Sequence, residues 1–172
     1  MYRECRNAAC MTVERASEEV GVAPRTLAKY ESGEIVPDAE KVFRMSQIYN
    51  DPELAHWYCR THCAIGRAFN YEILNAVSDD PLHMFEKLEE ETEEMLAKIK
   101  KTRRVLMNTG QKKSWCESTV ETVTDWLREA FDVAHVIQKI KIEFGRFLDI
   151  RKLVNEHNKK CEQRGYFKRK GA

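Results

Sequence analysis

The chain has 172 residues, 42% of them apolar and 33% charged, with only seven glycines, four prolines and a formal net charge of +1. The apolar content excludes a disordered tail, and the scarcity of glycine and proline favours long helices over sheets. Charge this balanced excludes a chain drawn wholesale to nucleic acid or membrane, so any such binding must come from a local patch.

The first third reads as short helices. YRECRNAAC is one. Thr12 is a suitable N-cap for VERASEEV, which Gly21 stops. Pro24 at a first helical position opens PRTLAKYES, which Gly33 stops. Asp38 can cap AEKVFRMSQIY, and Asp51 with Pro52 opens ELAHWYC. In residues 66–80, a junction, NYEILNAV is expected to form a short helix. Asp80 and Pro81 then open a longer one.

From there the apolar periods lengthen. Phe85, Thr92, Ile99 and Leu106 are spaced by seven, with Leu88 and Met95 between them, and Asn108 and Gly110 end the helix. Ser114 and Glu117 read as a capping box for the next. Val123, Trp126, Ala130, Val133, Ile137, Ile140, Phe144 and Phe147 then follow a three-four spacing, the seam of a helix packed on helices. Val123, Trp126, Val133, Ile137, Ile140, Phe144 and Phe147 are expected to be buried against Phe85, Leu88, Met95 and Ile99. Leu127, Phe131 and Leu148 lie off that seam, which calls for a third helix, a partner subunit, or both. Gly145 is a place to kink or end the helix, RKLVNEHNKKC is expected to continue as helix, and the final KRKGA to fray.

Two helices separated by GVA make a helix-turn-helix candidate, with Gly21 permitting the positive φ the turn needs. On the second helix Leu27, Tyr30 and Glu31 share one side, while Arg25, Ala28, Lys29 and Ser32 face away. A helix offering its first turn to a major groove would use this outward set: Arg25 bidentate to guanine, Lys29 on a base edge or phosphate. An ordinary amphipathic helix with two solvated cations would show the same periodicity.

Beyond periodicity, TVERASEEVGVAPRTLAKYESGEIVP resembles the lambda-repressor-like helix-turn-helix domain of bacterial and phage regulators, the xenobiotic-response-element type. The matching positions are Thr12, Ser17, Val20-Gly21-Val22, Tyr30-Glu31, Gly33 and Pro37, and the likeness covers about residues 2–60. It implies a five-helix DNA-binding head over 1–65; with the helical periods that follow, the chain is expected to be all-α, with the junction at 66–80 and a long-helix antiparallel bundle over 81–172. It also implies that the helix Pro24 to Ser32 lies in the major groove, with base-reading positions at Pro24, Arg25 and Lys29, and Thr26 near the backbone. Thr12, Val13 and Ala28 complete the implied DNA surface, and Arg6 is implied to pair with Glu31. The sequence departs from the family pattern at Val13, where glutamine is usual, and at Ala23, where serine or threonine is usual.

Other chemistry is sparse. HWYCRTHC places His56, Cys59, His62 and Cys63, all zinc-ligand types, within eight residues, but not at a common finger spacing, and no second Cys-x-x-Cys pair follows. No metal is expected there: Cys59 and Cys63 read as small apolar residues one helical turn apart. No phosphate loop, HExxH or nucleophile elbow appears, and Cys10, Cys116 and Cys161 with His83, His135 and His157 form no recognisable dyad. No enzyme activity and no cofactor are expected. EKLEEETEEMLAKIKKTRR turns from acidic to basic along one helix, which reads as a solvated face, and the basic C-terminal run as a solubilising tail.

With no apolar run of about 18 residues to span a membrane and no apolar stretch in MYRECRNAAC to act as a secretory signal, the cytoplasm is the expected setting. The six cysteines are then expected to be thiols. The reading is a sequence-specific transcriptional regulator that binds double-stranded DNA as a homodimer. Its bundle serves dimerisation or receives a regulatory protein or small effector. Two other classes stay open: an interaction adaptor with a degenerate helix-turn-helix, and a zinc- or thiol-based sensor using HWYCRTHC.

Overall fold

The computed structural model describes residues 1–109 and 115–167. Among these the chain is all-α, with no strand: α1 Tyr2–Ala8, α2 Val13–Val20, α3 Pro24–Ser32, α4 Ala39–Ile48, α5 Pro52–Thr61, α6 Ala64–Phe69, α7 Pro81–Thr109, α8 Glu117–Phe144 and α9 Ile150–Gln163. Two compact units form. One contains Met1–Asn70 and the residues from Lys141 on; the other is Tyr71–Ile140. Residues after 140 thus group with the head, whereas sequence periodicity placed 81–172 together.

In the first unit, local chemistry sets the helix ends. Thr12 Oγ1 accepts from Arg15 N at 3.2 Å, Asp38 Oδ1 from Lys41 N at 2.8 Å, and Asp51 Oδ1 from Glu53 N at 3.1 Å. Each satisfies an amide that has no helical partner. The apolar faces of α1 to α5 close on one core that includes Ala16, Val20, Leu27, Met45 and Leu54, all with no exposed surface. Trp57 meets Tyr2 edge to face at 5.4 Å, and the Tyr58 hydroxyl donates to the buried Pro37 carbonyl at 3.1 Å. A sixth helix, α6, follows the expected five. It depends on Gly66, since a Cβ there would stand 1.9 Å from the Cys59 carbonyl oxygen. The helix ends at Phe144, before Gly145, and RKLVNEHNKKC lies in a separate helix, α9, which Asp149 caps by accepting from Lys152 N at 2.9 Å.

In the second unit α7 and α8 run antiparallel. Lys98 Nζ donates to Asp125 at 3.1 Å and to Glu129 at 2.6 Å, while Glu91 approaches Glu129 and Asp132. NYEILNAV is not a helix: residues 70–77 have no regular structure. Tyr71 instead stacks on His135 at 5.0 Å and contacts Phe131, and His135 Nε2 donates to the Glu72 carbonyl at 2.6 Å. A segment of eight residues is too short to hold a helix unaided, so these contacts to α8 decide its path.

The expected seam is only partly covered. Val123, Trp126, Val133, Ile140 and Phe144 are half-buried. Ile137 is 43% exposed on a side α7 does not cover, and Phe147 is 83% exposed because α8 has already ended. Among the described residues, the groups buried in this unit are Met84, Thr102, Thr119, Val136 and Lys139. The Ser114 half of the capping box and the terminal KRKGA lie outside the described residues.

Candidate nucleic-acid interface

The turn between α2 and α3 follows from its glycine. Gly21 adopts φ 76° and ψ 45°, where a side chain would be strained. Its N–H and that of Val22 donate to the Ser17 carbonyl at 2.9 Å each, satisfying carbonyls the ended helix leaves open. Ala23 provides no side-chain cap, but Pro24 at the first position has no N–H that needs one. Leu27 buries completely beside Ala16 and Val20, and so fixes the roll of α3.

That roll decides what faces out. Pro24, Arg25 and Ala28 are exposed, and Thr26 and Lys29 half-buried; on α2, Thr12 is exposed and Val13 half-buried. Arg25 makes no ion pair among the described residues. Lys29 does: its Nζ lies 2.5 Å from Glu34 Oε1. Glu34 is thus a residue of this surface that the sequence reading passed over. It sits five positions from Lys29, beyond the three- and four-residue spacings that mark helical pairs, and only the turn at Gly33 brings it back.

Glu31 faces the opposite way. Its side chain is 3% exposed and holds Arg6 through two bonds, Nε to Oε1 at 2.6 Å and Nη2 to Oε2 at 3.1 Å. Arg6 Nη1 also donates to the Met11 carbonyl at 2.6 Å. The Glu31 bonds raise the guanidinium pKa above its ordinary value, and they tie α1 to α3. Arg3, also overlooked, reaches Glu31 Oε2 at 3.3 Å from a 60% exposed position; its place one turn before Arg6 was the available signal.

The head carries little net attraction for a polyanion. Residues 1–65 hold eight Lys and Arg against ten Asp and Glu, a formal charge of −2. Any pull toward DNA therefore comes from where the cations stand.

HWYCRTHC does not converge. Among the described residues, the one group of three ligand types whose atoms lie within 4.8 Å of one another is Glu91, Glu129 and Asp132. His62 instead packs on Trp57 and Tyr58, at 5.4 and 5.3 Å. Burial lowers the His56 pKa, helped by Lys141, and burial raises that of the Cys59 thiol, helped by Cys63. The shift at Cys59 opposes the thiolate a zinc ion needs. One Cys–His contact does form elsewhere: Cys161 Sγ lies 3.3 Å from His157 Nε2, one turn apart on solvent-facing α9.

Residues 3–53 match the helix-turn-helix family model. No curated protein and no solved structure matches the chain. The matched span runs from the start of α1 into α5 and contains the α2–turn–α3 unit, Arg6 and Glu31. Residues 3–53 of this chain therefore form a lambda-repressor-like helix-turn-helix domain, of a family of DNA-binding regulators.

Proposed function

We propose that the protein is a sequence-specific transcriptional regulator that binds double-stranded DNA inside the cell, with α3 in the major groove. Residues 1–65 would be the reading head, 66–80 a junction, and the bundle from 81 the part that joins two copies or receives a controlling partner. The observation that carries this is Arg25: an exposed guanidinium without an ion pair, in the first turn of a helix held in place by Leu27 and the Arg6–Glu31 pair. Such a group can donate two bonds to one guanine edge. Pro24 and Ala28 would lie against base edges, and Thr12, Val13 and Thr26 near the sugar–phosphate backbone. Lys29 would leave Glu34 to reach a base or a phosphate, a small penalty for an exposed pair. One such helix reads few base pairs, so two half-sites about one helical turn or a multiple apart are expected. No chemical step is needed.

The charge of −2 on residues 1–65, with Lys29 held by Glu34, supports a second reading, an interaction adaptor that keeps the fold without the readout. Selection of bound sequences from random DNA separates the two. A regulator enriches a motif with two related halves; an adaptor enriches nothing.

A further inference from the structure

We propose that the exposed face of α7 is the contact with a second copy of this chain, antiparallel to the first, with the two-fold axis passing beside Leu96. This deepens the two-copy part of the reading above.

The apolar evidence comes first. Leu96 is 49% exposed, Ile99 39% and Met107 78%, on a helix of 29 residues whose buried side chains are only Met84 and Thr102. Across from α7, Leu127 and Phe131 of α8 are also exposed. An antiparallel helix pair that leaves this much uncovered calls for another apolar surface.

The charges say which surface. From Glu86 to Glu94 the helix carries six glutamates and one lysine; from Lys98 to Arg104 it carries five cations and no acid. The helix dipole acts only within the first and last turns, so it does not explain this division. Pairing within the helix does not explain it either. Glu89 stands four residues from Glu93, and Lys100 four from Arg104, and like charges at that spacing repel. The ion pairs α7 does make run elsewhere, from Lys87 to Glu90 and Glu91 and from Lys98 to Asp125 and Glu129. Glu89, Glu93, Lys100 and Arg103 are exposed and enter none of them.

Seven residues make two helical turns, so Glu89, Leu96 and Arg103 lie in one row, and Glu93 and Lys100 in the row beside it. A two-fold axis at Leu96 reverses the second helix. It sets Glu89 against Arg103 of the other copy, and Glu93 against Lys100, each twice. The apolar row closes in the same register, Thr92 meeting Ile99. A parallel pair would set Glu89 on Glu89 and Arg103 on Arg103. The same patch on both partners, complementary to itself, is the requirement of a two-fold interface.

The test uses the full chain without DNA, so its failure leaves groove reading untouched. Association is measured by sedimentation velocity at low salt, with helix content followed by circular dichroism. Three variants join the wild type: Glu89→Arg with Glu93→Lys, Lys100→Glu with Arg103→Glu, and all four changes together. The wild type and the fourfold variant should dimerise. Each twofold variant should dimerise more weakly by about tenfold or more, and an equal mixture of the two should recover dimer as a mixed species. A wild type that stays monomeric at concentrations on the order of 100 μM overturns the proposal. So do twofold variants that associate as tightly as wild type, or a fourfold variant as weak as they are. If a twofold variant loses helix content, the fourfold variant decides alone, since it keeps the wild-type composition.

Discussion

Replacing Arg6 with alanine removes three bonds at once. The Glu31 carboxylate, 3% exposed, loses both donors of the guanidinium and keeps only the long 3.3 Å contact from Arg3, a side chain mostly in water. The Met11 carbonyl loses the 2.6 Å donor that fastened the end of α1. Breaking a buried ion pair by removing one partner costs about 3–5 kcal/mol, because the other charge is left without compensation. Small domains are stable by only about 5–15 kcal/mol, so Arg6→Ala should consume much of the head's stability. The assay is urea unfolding in a background where Trp115 and Trp126 are phenylalanine, leaving Trp57 of the head core as reporter. With a slope of about 1–3 kcal/mol per molar, the midpoint should fall by roughly 1 M or more. Arg6→Met with Glu31→Leu should recover most of the loss, since an apolar pair of similar volume removes both charges together. A loss for Arg6→Ala under about 1 kcal/mol, the scale of an exposed pair, would refute the reasoning.

Three further outcomes are expected. Gly66→Ala should destabilise the head by about 1–3 kcal/mol, the scale of an overpacked site, because the added methyl meets the Cys59 carbonyl at 1.9 Å; unchanged urea unfolding would show that α6 does not pack as described. The head should lose stability between about pH 9 and 12: burial raises Tyr2, Cys5 and Tyr49 each to about 12, from ordinary values of 10.0, 9.0 and 10.0. The unfolded chain then gives up these protons first, so stability is full below the ordinary values and is lost as pH rises. A flat stability profile over that range contradicts it. Glu34→Gln should free Lys29 and remove a negative charge beside it, strengthening DNA binding up to about fivefold and steepening the salt dependence by about one phosphate contact; titration at several salt concentrations reads both, and weaker binding would contradict the role given to Lys29.

What could be read from the sequence was local. Thr12, Asp38 and Asp51 cap helices through amides two or three residues on, and Gly21, Pro24 and Gly33 act through their own backbone. Such signals need no knowledge of the rest of the fold. The inward set Leu27, Tyr30 and Glu31 followed from helical period alone. What escaped was set at a distance. NYEILNAV has an apolar pattern that suits a helix, yet it forms none, and its Tyr71 stacks on His135, about sixty positions away. The seam was drawn through to Phe147, past Gly145, the residue that marked where the helix could end, and α8 does end at Phe144. At the candidate interface the outward cations were visible, but Lys29 is held by a residue that returns only after the turn at Gly33. Nothing in the local pattern marks Arg6, twenty-five positions away, as the partner of Glu31; that pair was expected only through the family resemblance, and its two bonds form.

The central claim is that α3 reads bases, with Arg25 as the side chain that tells them apart. The most direct measurement is titration of wild type and Arg25→Ala against a selected DNA site and a scrambled one, at two salt concentrations. Wild type should prefer the selected site, and Arg25→Ala should lose about 1–3 kcal/mol of discrimination at one position per half-site while retaining most of its affinity for scrambled DNA. If Arg25→Ala loses affinity equally for both, the arginine serves only as a phosphate contact. If wild type itself shows no preference, the account of this chain as a regulator is contradicted.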